Sequence, residues 1–155
     1  MPAVGEAIHT GLEYEAAPAF RNATGDILKL AVGECPGCGR FGVRMSIVGR
    51  ADDMLNVKGV KVYPSALQDV VQLFQPRASG QLRIRLDGPP PRVEPPLRLV
   101  VEAGAQLAEA DWPALGDDIA RRCREVLAIR PKVTVVTFGA LPRSNQKTKL
   151  IEIAD

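Results

Sequence analysis

A single histidine, His9, and only three cysteines, Cys35, Cys38 and Cys123, stand in this 155-residue chain, and their scarcity removes whole classes of chemistry. One histidine gives poor support to a Ser-His-Asp hydrolase, which needs an imidazole between its acid and its nucleophile. Three cysteines leave one without a mate, which suits a reducing compartment better than a disulfide framework. No apolar run approaches the roughly 18 residues of a membrane span. The N-terminus lacks the basic stretch and apolar core of a secretory signal. Neither a Gly-x-x-x-x-Gly-Lys phosphate loop nor a Gly-x-Gly-x-x-Gly fingerprint is present. Excess charge is lacking too, since 20 Lys and Arg against 18 Asp and Glu leave a formal +2. The basic cluster of Arg121, Arg122, Arg124, Arg130 and Lys132 reads as a solvated helix face rather than a nucleic-acid footprint. The expectation is a cytoplasmic protein that binds neither nucleic acid nor membrane.

What is present is a mild, half-apolar composition, 46% hydrophobic, long enough to bury a core. The stretch to about Val48 reads as short strands and turns with no long helical period, punctuated by Thr24-Gly25-Asp26 and by Pro36-Gly37. So short and loop-rich a segment would struggle to form its own core. From Gly49 the pattern becomes regular. Met54 to Val57 and Val60 to Tyr63 flank Lys58-Gly59, a dipeptide fit for a tight hairpin. A helix follows, opened either by a Ser65/Gln68 capping box or by Pro64 as first helical residue. Leu67, Val70, Val71 and Phe74 make its buried stripe.

Leu82 to Leu86 alternates and reads as a half-buried strand, residues 88–96 as an exposed, stiff proline-rich loop, and residues 97–102 as the next strand. A second helix begins at Trp112 or Pro113, presents Leu115, Ile119, Cys123, Val126 and Leu127 on one face, and is ended by Pro131. Val133 to Phe138 and a short tail strand at residues 150–153 complete the order. Helix, strand, strand, helix, strand predicts an α+β fold, a small sheet with two helices on one face close to a ferredoxin-like arrangement, preceded by a short β-rich segment.

Two runs carry chemistry. One is Gly49-Arg50-Ala51-Asp52-Asp53-Met54-Leu55-Asn56-Val57-Lys58-Gly59-Val60, and the other is Leu141-Pro142-Arg143-Ser144-Asn145-Gln146-Lys147. Taken by spacing alone, the first is a charged turn before a hairpin and the second a solvated loop. Together they resemble the hinge and the lysine loop of AMP-forming acyl–CoA ligases, and most of all the phenylacetate–CoA ligase branch of that adenylate-forming superfamily. The resemblance runs from about Gly5 to Ile153. It implies a division into residues 1–49, the last part of an N-terminal nucleotide-binding domain, and residues 50–155, a C-terminal lid.

On that resemblance the lysine meeting the substrate carboxylate and the α-phosphate during adenylation is Lys147, with Lys149 as the alternative because Gln146 replaces the family's glycine. Asp52, with Asp53, takes the place of the hinge between the two half-reactions, and hinge residues need not be glycine. Arg50 would lie near the nucleotide ribose or phosphates. Lys58-Gly59 would face the active site in the second state, near the thiol arm of coenzyme A. Asp26, in Thr24-Gly25-Asp26 behind Pro18 to Arg21, matches the family's aspartate for the ribose hydroxyls of ATP. Asn22-Ala23 replace the family's Tyr-Arg.

The implied substrates are an aryl or related carboxylic acid, ATP with magnesium, and coenzyme A. The Ser/Thr/Gly-rich phosphate loop and the acyl pocket of the family's large domain are not among these residues. The implied partner is therefore a separate N-terminal ligase domain, whether the chain is a piece of a ligase or a split subunit. A lid-like binding module without catalysis is the alternative from another class. Self-association through the apolar surface that would meet the large domain is expected as well. Finally, Cys35-Pro36-Gly37-Cys38 is half a zinc site, and a structural zinc would take Cys35 and Cys38 as two of its ligands.

Overall fold

The computed structural model describes residues 3–13, 19–143 and 150–153. They fall into two compact units, Met1–Asp53 and Met54–Asp155.

The first unit is an antiparallel sheet in the order β1-β2-β3. Its strands are β1 (Ala3–His9), β2 (Asn22–Glu34) and β3 (Phe41–Arg50). The sequence reading of short strands and turns is corrected here, since β2 runs 13 residues and β3 runs 10. Of the two glycines that suggested breaks, Gly37 lies in the turn between β2 and β3, but Gly25 lies inside β2. Gly25, at φ +76, sits just before a register shift between Ile27 and Leu28, so the chain bends without ending the ladder. Cross-strand register puts Leu30 opposite Met45 and Val32 opposite Val43, which gathers apolar side chains on one face. That face is open: Val32, Val43, Met45 and Ile47 are each more than half exposed, and no described residue of the unit is buried.

The second unit starts with the hairpin of β4 (Leu55–Val57) and β5 (Val60–Val62), followed by α1 (Pro64–Gln72). Pro64 is the first helical residue and Tyr63 the N-cap, with no side-chain cap bond, so of the two expected starts the helix opens at Pro64. Proline suits that position because its φ is already helical and its missing N–H would have had no partner there. Leu67, Val70 and Val71 are buried as their spacing predicts.

Strand β6 (Ala78–Leu86) begins four residues ahead of the alternating run. The small residues Ala78, Ser79 and Gly80 carried no strand signal, and Gly80 at φ +89 lies within a register irregularity. The proline-rich stretch is not wholly exposed, because β7 (Arg92–Val93) pairs with β4 and buries Val93. After β8 (Arg98–Ala103) and a 3-10 turn at Glu109–Asp111, α2 (Trp112–Leu127) stops at Ala128, whose left-handed φ of 57 ends it before Pro131 can. On α2, Leu115, Ile119 and Cys123 are buried, but Val126 is 52% exposed and lies off the stripe. Strand β9 (Lys132–Val136) follows, and β10 (Ile151–Ile153) is the expected tail strand.

The main sheet has the order β10-β6-β8-β9. Strands β6 and β8 are antiparallel, while β8 with β9 and β10 with β6 are parallel. Both helices contribute to one core, with Leu67, Val71, Leu115 and Ile119 joining Leu82, Ile84, Leu99 and Val101 of the sheet. Register confirms that these sheet residues share a face, Leu82 standing opposite Val101 and Ile84 opposite Leu99. Burying each such side chain contributes about 1.5–3 kcal/mol. The α+β reading of a small sheet with two helices on one face therefore holds. Among the described residues no helix is long and apolar enough to cross a membrane.

Gly104, just past β8, fits where nothing larger can. A Cβ there would lie 1.9 Å from the Pro76 carbonyl oxygen and 3.1 Å from that of Arg77, and neither backbone atom can rotate away. Gly104→Ala is expected to destabilise by about 1–3 kcal/mol, read as a lower urea midpoint; an unchanged midpoint would show that the turn rearranges freely.

Candidate functional site

The motif residues that fall within the described chain gather in three places, and the first is an ion-pair cluster built by sheet register. Asp26 on β2 stands directly opposite Arg50 on β3. The Arg50 Nη1 atom lies 3.4 Å from Asp26 Oδ1, while Nε and Nη2 reach the two carboxylate oxygens of Asp52 at 2.9 and 3.3 Å. The fork to Asp52 is bidentate, the geometry that planar guanidinium favours. Its hydrogen bond, then its charge, raises the Arg50 pKa above the ordinary arginine value.

The backbone supports this cluster. The Ala51 N–H donates to the Gly25 carbonyl at 2.7 Å, and the Asp26 N–H donates to Thr24 Oγ1 at 3.3 Å. Gly25 is the residue that fits, since its φ is +76 and a Cβ would stand 3.1 Å from Arg50 Nη2. Among the described residues only Oδ1 of Asp26 is engaged. Asp53 adds charge nearby, and the division between the two units falls immediately after it.

The second place is the β4–β5 hairpin. Lys58 and Gly59 have φ of 48 and 88, so both turn residues are left-handed, as the tight hairpin requires. Asn56 Oδ1 accepts from the Gly59 N–H at 2.7 Å and fixes the turn. Sequence reasoning missed the cleft of about 410 Å³ that Asn56, Lys58 and Gly59 form with Pro91, Arg92, Val93 and Glu94. Val93, an apolar residue inside a proline-rich run, was the signal for it. Lys58 has no ion-pair partner among the described residues.

The third place is the stretch before the lysine loop. Lys147 and Lys149 lie outside the described residues, so their positions are left to experiment. What precedes them is held by Glu102, a wholly buried carboxylate on β8. Its Oε2 accepts from the Leu141 N–H at 3.0 Å, and its Oε1, without a hydrogen bond, stands 3.6 Å from Arg143 Nη2. The Arg143 guanidinium also lies 5.0 Å from the centroid of the Phe138 ring.

Burial pushes the Glu102 pKa up, but donors from Leu141, Ser79 and Gly139 and the Arg143 charge together bring it below its ordinary 4.5. Its stabilising effect is thus complete above that ordinary value and is lost as pH falls through the lower folded one. Glu102 and its partner strand's Arg83 were not singled out from sequence. The available signal was a charge within each strand stretch, Glu102 in residues 97–103 and Arg83 in residues 82–86.

Cys35 and Cys38 sit at the tip of the β2–β3 hairpin, closed by Cys35 N–H to Arg40 carbonyl at 2.9 Å and Gly39 N–H to Cys35 carbonyl at 2.8 Å. Both are free thiols. Among the described residues no group of three or more His, Cys, Asp or Glu gathers that could hold a metal ion. A structural zinc would need two ligands beyond this pair. Cys123 is buried in the core, as its helical spacing implied.

Comparison with known proteins follows the same outline. Residues 59–152 match the family model of the AMP-binding enzyme C-terminal domain. The chain is 36% identical to the phenylacetate-coenzyme A ligase of Thermus thermophilus over 155 residues, covering 91% of this chain and 34% of that protein. Against the phenylacetate-coenzyme A ligase of Escherichia coli the identity is 32%, covering 92% of this chain and 32% of that one. Among solved structures, 2-hydroxyisobutyryl-CoA ligase in the postadenylation state with R3-HIB-AMP superposes with a TM-score of 0.86 at 26% identity, over 98% of this chain and 32% of that chain. The chain spans about a third of the length of the curated relatives it matches.

Two of the thiols, Cys35 and Cys123, separate by environment. Backbone donors at Gly37 and Cys38 lower the Cys35 pKa, whereas burial pushes Cys123 up to about 11. At pH 8 more of Cys35 is thiolate, so iodoacetamide is expected to label Cys35 well before Cys123. Peptide mapping checks this; equal rates in the folded protein would refute the assignment.

Proposed function

The chain belongs to the AMP-binding enzyme C-terminal domain family, and from that premise we propose that it serves as the C-terminal part of an AMP-forming acid–coenzyme A ligase. The substrate class is an aryl carboxylic acid such as phenylacetate. In the first half-reaction the acid's carboxylate oxygen attacks the α-phosphorus of ATP, forming an acyl-adenylate and releasing pyrophosphate. In the second, the thiolate of coenzyme A attacks the acyl carbonyl, forming the thioester and releasing AMP.

The observation that carries this reading is the Arg50 guanidinium joining Asp26 and Asp52 directly ahead of the division between the two units. Asp26, with one oxygen uncommitted, suits acceptance from ribose hydroxyls. Arg50 pairs with that carboxylate at 3.4 Å and adds positive charge near the nucleotide. Asp52 and Asp53 form the joint between half-reactions. Lys147, or Lys149 in its place, brings an ammonium to the charge developing between the carboxylate and the α-phosphate. In the second half-reaction the Lys58-Gly59 turn and its cleft face the thiol arm, where glycine permits close backbone approach.

Magnesium would arrive with ATP, held by the phosphates. Residues 1–49 are read as the end of the nucleotide-binding domain, and a cytoplasmic setting follows from ATP, coenzyme A and free thiols. The partner is the rest of the ligase, whose surface would cover the open apolar face of Val32, Val43, Met45 and Ile47. Without it, that face drives self-association, and light scattering is expected to show dimers or larger species that Met45→Lys disperses; a monomer at high concentration would refute this.

The function is tested by ATP–pyrophosphate exchange with a panel of aryl acids. The expectation is no exchange by these 155 residues alone and exchange on mixing with the N-terminal domain of a related ligase. Lys147→Ala should then lower the rate by about a hundredfold or more. Exchange indifferent to Lys147→Ala, to Lys149→Ala and to the double change would refute the catalytic assignment and favour a binding module.

A further inference from the structure

Cys35 and Cys38 take no part in the two half-reactions assigned above, yet the β2–β3 hairpin brings them together at its tip. Strand pairing ends with Glu34 opposite Phe41, so residues 35–40 form the connection. Within it the Gly39 N–H donates to the Cys35 carbonyl at 2.8 Å, four residues back, and the Cys35 N–H donates to the Arg40 carbonyl at 2.9 Å. The first of these bonds winds residues 35–39 into a single α-turn. Positions three apart on a helical turn are neighbours on one side of it, and the two sulfurs occupy such positions.

The Cys35 sulfur accepts from the backbone N–H groups of Gly37 and Cys38, and it lies within hydrogen-bond reach of the Cys38 thiol and the Arg44 side chain of β3. Neither thiol is enclosed, since Cys38 is exposed and Cys35 half-buried. Cys123 differs, being buried in the core of the second unit.

The number of sulfurs decides what this pair can do by itself. A structural zinc takes four ligands, whereas a disulfide takes two, and two are what the turn holds. The ring so closed is short. Cross-links stabilise more as the closed loop lengthens, so this one would lock little of the chain. An exposed bond also stays open to attack by other thiols. Both features suit a bond that is made and broken rather than a permanent staple.

We propose that Cys35 and Cys38 form a reversible dithiol–disulfide pair, a redox-modification site at the hairpin tip whose co-reactant is a low-molecular-weight disulfide, RSSR. One cysteine, as thiolate, attacks a sulfur of RSSR. A protein–S–S–R bond forms, the external S–S bond breaks, and the departing RS⁻ takes a proton from solvent. The other cysteine gives its proton to solvent and attacks the first sulfur, closing the Cys35–Cys38 bond and expelling the second RS⁻, which is protonated in turn. Two protein thiols are oxidised and one RSSR is reduced to two RSH, so electrons and protons balance. Excess RSH reverses both steps. The turn contributes proximity, which makes the closing step intramolecular.

The test uses the full chain, reduced and then incubated with oxidised glutathione. Remaining thiols are alkylated in denaturant and the peptides mapped by mass. The expected product has Cys35 joined to Cys38, Cys123 alkylated and no bound glutathione, and excess reduced glutathione restores both thiols. Cys35→Ser and Cys38→Ser each lack the closing sulfur and should carry at least about tenfold more bound glutathione than the parent. Should either variant fail to fold, the map of the parent decides alone. Glutathione retained on the parent, a link to Cys123 or between two chains, or both thiols left unmodified overturns the proposal. One equivalent of zinc added beforehand is expected to leave the oxidation unchanged; protection of both thiols by zinc would overturn the proposal and make the turn a metal site.

Discussion

Strand β8 is withdrawn from water on both faces, and this constraint organises residues 54–155. Leu99, Val101 and Ala103 point to the helices, while Val100 and Glu102 point the other way, and all five are buried. The helices solve the first face by ordinary apolar packing. The second face has no helix, and it carries a carboxylate that must find donors or lose a protonation equilibrium. The chain after β9 supplies them by crossing that face, delivering the Leu141 N–H to Glu102 and the Pro142 carbonyl to Arg83. β10 then adds beside β6. A polar layer thus does on one face what leucine and isoleucine do on the other, with one difference. Apolar contacts tolerate sliding, whereas hydrogen bonds from a fixed fork define a position.

The parts of this fold that could be read from sequence are those where one period governs a segment. The stripe Leu67, Val70, Val71 belongs to a helix with one buried face, and the Lys58-Gly59 turn is nearly dictated by the left-handed conformation it needs. Reading failed where two environments compete. Arg83 looked like the wet side of an alternating strand because local pattern cannot show that a later stretch of chain will cover it. β7 was hidden by its prolines, though Val93 lies in the core. The length of β2 was hidden by Gly25, which lies next to a register shift that does not end the ladder. The Asp26–Arg50 juxtaposition depends on cross-strand register, which spacing along the chain does not encode. Motif resemblance named both residues, and only the fold put them side by side.

The first unit shows the same logic in reverse. Its sheet has regular register and an apolar face, yet no described residue of it is buried. A three-stranded sheet needs something against that face to be stable by itself. The chain spans about a third of the length of its curated relatives, and on the ligase reading the missing cover is the remainder of the large domain. The same reading would account for the placement of Asp26 and Arg50, since it makes Asp26 a ribose-binding carboxylate close to a joint.

The Arg50 cluster and the polar layer of Arg83 and Glu102 use charge in opposite ways. Arg50, Asp26 and Asp52 form a partly exposed cluster, with the Asp52 side chain 65% exposed. Water and salt compete for such pairs, so their net contribution is small and they exchange partners readily. On the ligase reading this suits the joint, because an interaction much stronger in one of its two orientations would empty the other. Arg83 and Glu102 are enclosed, so losing a partner leaves an uncompensated ion and the geometry cannot drift. On the ligase reading, exchangeable ion pairs at Asp52 suit a joint that turns, while the enclosed Arg83 and Glu102 hold Leu141 and Pro142 to one geometry against the sheet.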